Sequence, residues 1–122
     1  MIVQARKIDN LTQPDLSTLS DFEKSRITTK RRLENGDYEI HFKQIVADKA
    51  PLMIALKQHN LLTTVQDWMS KQNEITQLFW KESAKVRMIN GMVRAFINDK
   101  KGVTWEMVEE VFKTAKNIER NL

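Results

Sequence analysis

Glu74-Ile-Thr-Gln-Leu-Phe-Trp-Lys-Glu-Ser-Ala-Lys-Val-Arg-Met-Ile-Asn-Gly-Met-Val-Arg-Ala-Phe-Ile-Asn98 is the stretch whose reading decides the fold. At 100° per residue, Ile75, Leu78, Phe79, Val86, Ile89, Val93, Phe96 and Ile97 fall into one stripe roughly 100° wide, the width of an ordinary core face. The segment therefore predicts a single helix, about 37 Å long at 1.5 Å per residue. Glu82 falls inside this stripe, where an ionised carboxylate needs a partner or a route to solvent. A second apolar stripe, Trp80, Ala84, Met88, Gly91 and Ala95, lies on the opposite side. Its small residues at 84, 91 and 95 suit the close approach of another helix. Left bare, it would form an apolar patch of several hundred Å², more than a monomer usually shows. These five residues are thus the expected protein-binding surface, serving self-association first and exchange for another partner afterwards.

Outward from this helix, the punctuation is helical on both sides. Asp99-Lys100-Lys101-Gly102 stops it, with Gly suited to a left-handed C-terminal turn. Thr104 can cap a following helix whose Glu106, Glu109 and Glu110 sit near its positive end. Met107, Val108, Val111, Phe112, Ala115, Ile118 and Leu122 then keep helical spacing. Upstream, Asp48 is a plausible N-cap with Pro51 tolerated in the first turn, and two short helices meet near Asn60. Before them, Asn35-Gly36 predicts a two-residue type I′ turn joining strands at Ile27–Leu33 and Tyr38–Lys43. In that register Leu33 faces Tyr38, and Arg32, Lys30, Glu39, His41 and Lys43 share the polar face. The first twenty residues read as a partly ordered arm with one short helix after Pro14, pinned by Leu16, Leu19 and Phe22. The expected fold is mainly α within the α+β class: a bundle of four or five helices with one N-terminal hairpin. It occupies one domain, 1–122, with the arm at 1–20, the hairpin at 27–43 and the helical part at 48–122.

Composition narrows the function classes. The chain has 122 residues, 41% of them hydrophobic and 30% charged, which is ordinary globular usage. With only three Gly and two Pro, long regular elements are favoured. The absence of Cys removes disulfides and thiolate metal sites. No apolar run is long enough for a signal peptide or a membrane span, so a cytoplasmic protein without membrane contact is expected. Six Met residues supply soft, adaptable apolar surface, although most of them can equally fill a core.

Residues for catalysis are not evident. His41 and His59 are the only histidines, and neither sits in a recognised zinc motif. Phosphate loops, nucleophile elbows and calcium loops are absent from the sequence. Glu106, Glu109 and Glu110 are explained by their place at a helix N-terminus. No catalytic residue, metal or cofactor is therefore expected. A net charge of +4 leaves nucleic acid as the second reading. Its contacts would be Lys30, Arg32 and Lys43 on the hairpin, since the first turn of the last helix is acidic and would repel phosphates.

The order of parts resembles the small tail-assembly chaperones of tailed bacteriophages and prophages. The resemblance rests on three segments. Asp15-Leu16-Ser17-Thr18-Leu19-Ser20-Asp21-Phe22 leads into a polar hairpin. Trp80-Lys-Glu-Ser-Ala84 with Val86-Arg87 follows in a longer helix. Val108-Glu-Glu-Val111-Phe112-Lys-Thr-Ala115-Lys-Asn-Ile118 closes the chain. Glu109-Glu110 depart from the pattern, which has a single acid before an apolar residue. The resemblance implies a non-catalytic protein in the bacterial host cytoplasm, and the homo-oligomer expected here rests on the second apolar stripe. Its client would be the apolar tape-measure protein, which it would coat until tail-tube subunits replace it.

Overall fold

The computed structural model describes residues 1–121, and the Leu122 of the predicted apolar series lies outside them. The chain folds as two compact units, residues 1–44 and the remainder from Ile45 onward. Among the described residues there are six helices and seven strands in three small antiparallel sheets. The fold is α+β, and this corrects the expected mainly helical bundle of four or five helices with a single hairpin.

The first unit holds β1 (Ile2–Val3), β2 (Ala5–Ile8), β3 (Leu11–Pro14), α1 (Asp21–Lys24), β4 (Ile27–Arg32) and β5 (Tyr38–Phe42). Residues 1–20, read as a partly ordered arm, thus carry three strands. The short helix follows Ser20 and not Pro14. Ser20 and Glu23 close a capping box around it, in which Ser20 Oγ accepts from the Glu23 N–H at 3.2 Å and Glu23 Oε1 accepts from the Ser20 N–H at 3.1 Å. The two-residue turn with both central residues at positive φ lies at Asp9-Asn10 (φ 51° and 66°), where it joins β2 to β3.

At Asn35-Gly36 the loop is one residue longer than predicted. The Gly36 N–H donates to the Leu33 carbonyl (3.0 Å), and the Leu33 N–H to the Asp37 carbonyl (2.8 Å). Gly36 takes φ +90°. This is a type I turn ending in a left-handed residue, the three-residue hairpin connection. One extra loop residue slips the register by one, so Arg32 pairs with Tyr38 and Lys30 with Ile40. A bulge between Ile27 and Thr29 then returns Ile27 to the face of Phe42. Val3, Tyr38 and Ile40 form the small core, with Leu16, Ile27 and Phe42 packed on it. The sheet order β1-β5-β4 leaves β4 at an edge. Its exposed Lys30, Arg31 and Arg32 are the charges that keep a free edge from pairing with other chains.

The second unit holds β6 (Val46–Asp48), α2 (Lys49–Gln58), α3 (Leu62–Ser70), α4 (Glu74–Glu82), β7 (Lys85–Arg87), α5 (Gly91–Asp99) and α6 (Trp105–Arg120). The predicted division near Asn60 is present. Asn60 adopts φ 59°, and the Leu61 N–H reaches back to the Leu56 carbonyl at 2.8 Å, closing α2 with a left-handed cap. Thr104 caps α6 through the Met107 N–H (3.2 Å). α2 packs along α6, burying Leu52, Ala55 and Leu56 with Val108, Val111, Phe112 and Ala115. Glu119 of α6 accepts the Asp48 N–H at 2.6 Å and so ties the β6–α2 junction to that helix.

The long helix over 74–98 does not form. It is interrupted after Glu82, and Lys85–Arg87 pair with Val46–Asp48 as β7 against β6. Lys85, Val86 and Arg87 alternate exposed, buried, exposed, which is the period of a strand. Asn90 then starts a new helix, its side chain accepting from the Val93 N–H at 2.8 Å. The former core stripe is split by this break. Val86, Ile89, Val93 and Phe96 are buried, whereas Ile75, Leu78 and Phe79 face solvent.

Candidate functional site: an outward apolar ridge

α4 is set up by local chemistry at both ends. Asn73 caps its start, accepting from the Thr76 N–H at 2.8 Å. At its end the Ser83 N–H and hydroxyl both donate to the Phe79 carbonyl (3.1 and 2.6 Å). The Lys49 ammonium donates to the carbonyls of Trp80 and Lys81 and stands 4.9 Å from the Trp80 ring centroid. A cation at a helix C-terminus satisfies orphan carbonyls and complements the negative end of the dipole. Gln77 anchors the helix to the end of α3 and the loop after it, donating to the Ser70 carbonyl at 3.3 Å and to the Gln72 carbonyl at 2.8 Å.

These anchors fix which side of α4 faces inward. Thr76, Trp80 and Ser83 are half-buried. Trp80 packs against the cluster of Trp68, Met69 and Phe96, in which the Trp68 and Phe96 rings meet edge to face at 5.5 Å. The rest of its circumference carries Ile75 (81% exposed), Leu78 (59%) and Phe79 (60%). Among the described helices, α4 alone buries no residue. Its apolar stripe is turned to water, the reverse of the usual arrangement.

Two grooves flank this ridge. One, of about 380 Å³, has Ile75 and Phe79 on its wall and Gly91, Met92 and Ala95 of α5 opposite. The other, of about 470 Å³, lies between Leu78 and Lys81 on one side and Gln66 and Met69 of α3 on the other. A separate apolar cavity of about 60 Å³ lies inside the second unit. It is well below the roughly 150 Å³ that admits a benzene-sized guest, so it reads as imperfect packing.

The five residues expected to form one binding stripe are dispersed by the break after α4. Trp80 is half-buried on the inner side of α4, and Ala84 is exposed in the following turn. Met88 is buried at 1% exposure. Gly91 opens α5, and Ala95 sits half-buried one turn later. Gly91 and Ala95 border the ridge across one groove from Ile75 and Phe79, and Trp80 lines the other groove beside Leu78. The exposed apolar residues come from the stripe read as core. The signals that locate the break are the Lys85-Val86-Arg87 alternation and Asn90 ahead of Gly91.

The basic residues proposed for nucleic acid do not share one face. Lys30 and Arg32 pair with Ile40 and Tyr38, and the Arg32 guanidinium lies 6.0 Å from the Tyr38 ring centroid. Lys43, continuing the alternation of β5, falls on the other face with Glu39 and His41. There Arg31 and His41 contact Glu39 at 2.5 and 2.6 Å. The Arg31 hydrogen bond, and then that of His41, hold the Glu39 carboxyl below its ordinary pKa. His59 Nε2 lies 2.9 Å from Thr114 Oγ1. Glu109 and Glu110 pair with Lys113 at 3.7 and 3.5 Å. Among the described residues, no group of three or more His, Asp or Glu could hold a metal ion, and no helix is long and apolar enough to cross a membrane.

Comparison with known proteins gives no match: no family model, no curated protein and no solved structure is significantly similar to this chain.

Proposed function

We propose that this protein acts without catalysis, by docking an apolar helical segment of another protein on α4 and its flanking grooves. The observation that carries this reading is the outward Ile75, Leu78 and Phe79. Full burial of such a side chain is worth about 1.5–3 kcal/mol. Three of them standing mostly in water therefore leave several kcal/mol for a partner to recover. An amphipathic helix is the shape that fits, because its side chains at i, i+3 and i+4 can fill grooves on either side of a ridge. Met92, half-buried on the wall of one groove, can adjust to clients of different shape.

The resemblance to tail-assembly chaperones supplies the kind of client. A tape-measure protein is long, helical and apolar, and it must be held until tail-tube subunits take over. On the same resemblance, the protein acts in the cytoplasm of a bacterial host.

The test uses a fluorescein-labelled amphipathic peptide of about 20 residues, beyond the length at which an isolated helix is marginal, with Leu and Met on one face. Fluorescence anisotropy should show saturable binding to the wild-type protein. It should show at least about tenfold weaker binding to Leu78→Glu, since a charge on the ridge must be desolvated on docking. Equal affinity of the two proteins would overturn the reading.

A further inference from the structure

The α4 ridge carries a charge pattern complementary to itself. Glu74 and Lys81 are seven residues apart, which sets them within roughly 20° of each other on one flank of the helix. Both are exposed. Neither is taken up in an ion pair among the described residues. Between them and Phe79 runs the apolar seam of Ile75 and Leu78.

We infer that, in the absence of a client, a second copy of this chain covers the ridge, with the two α4 helices antiparallel about a two-fold axis. This rests on the reading of α4 as a docking surface and names its resting occupant. In such a pair, Ile75 of each copy packs on Leu78 of the other. Helical spacing then sets Glu74 opposite Lys81 of the second copy, and the two-fold repeats that pair. A parallel arrangement brings Glu74 beside Phe79 and gains no ion pair. Antiparallel packing also sets the helix dipoles head to tail. Glu82, the last helical residue, falls at the rim, where its carboxylate stays hydrated.

The pair is weak by construction. α4 has nine residues, about 13 Å at 1.5 Å per residue. One such helix face falls short of the roughly 1,000 Å² that a stable interface clears, so the dissociation constant lies in the micromolar range or above. Weakness suits the role, because a client helix can displace the second copy from the same seam.

Sedimentation equilibrium across a concentration series tests the pairing in the intact chain. The wild type should gain apparent mass with concentration. Glu74→Lys or Lys81→Glu alone sets like charges together twice, and each should weaken association by about tenfold. An equimolar mixture of these two variants should associate again, as should the double swap Glu74→Lys with Lys81→Glu. Unchanged association of the single variants, or a mixture that stays monomeric, would overturn the pairing. Peptide binding separates the two ideas. If the charge variants leave the mass unchanged while Leu78→Glu still abolishes peptide binding, only the pairing is wrong. If Leu78→Glu alters neither mass nor peptide binding, both fall.

Discussion

Replacing Ile75 by Ala should leave the protein as stable as before while weakening what it binds. Ile75 is 81% exposed, so at about 1.5–3 kcal/mol for full burial the fold draws roughly 0.3–0.6 kcal/mol from it. Ala returns about 0.4 kcal/mol of helix propensity. The net change is therefore within about 0.5 kcal/mol of zero, the usual range for a surface site. Phe96, 7% exposed in the same unit, gives the contrast: Phe96→Ala should cost about 3–5 kcal/mol. All three tryptophans, Trp68, Trp80 and Trp105, lie in this unit, so urea unfolding followed by their fluorescence reports on it alone. Phe96→Ala should lower the midpoint by more than about 1 M, and Ile75→Ala should barely move it. In the anisotropy assay, Ile75→Ala should still cost severalfold in peptide affinity. A loss of stability in Ile75→Ala comparable to that of Phe96→Ala would refute the reasoning, because the residue would then be core.

Gly36→Val should destabilise the first unit by about 1–2 kcal/mol, seen as faster amide exchange in β4 and β5. Gly36 sits at φ +90° with open space around it, so the cost is the backbone conformation and not a clash. Glu39 has its pKa lowered by the Arg31 hydrogen bond and then by His41. Its contribution is therefore present above the ordinary carboxylate range and lost as pH falls through the acid range. An NMR titration should show β5 loosening in acid, and Glu39→Gln should remove that acid-dependent step. Duplex DNA should be retained only weakly and released by physiological salt, because Lys30 and Arg32 do not share a face with Lys43. Sequence-specific binding that survives such salt would favour the nucleic-acid reading instead.

Some of this fold was legible in local chemistry. Asn60 marks the α2–α3 break, Thr104 opens α6, and Asn35-Gly36 marks a hairpin, because each acts through neighbouring backbone groups. The hairpin register was not legible, since a two-residue and a three-residue loop both accept Gly at positive φ and differ only in which residues pair. The break after Glu82 was hidden for a different reason. Val86 and Ile89 suit a helical stripe as well as they suit a strand and the turn beyond it. What decides between them is β6, whose pairing with β7 joins Ala47 to Val86 across a sequence distance no local window covers. Which side of α4 faces inward followed from that same tertiary choice. Lys49, at the start of α2, reaches the end of α4 and the Trp80 ring, and the apolar stripe is left outside.

Because the chain has no Cys, a single thiol placed on the ridge gives a direct reading of it. Leu78→Cys carrying an environment-sensitive dye should report a water-like spectrum in dilute protein. The spectrum should shift to the blue when the amphipathic peptide is added, while the same dye at Glu110→Cys on α6 should stay unchanged. If the peptide binds and the dye at position 78 does not respond, α4 is not the docking surface.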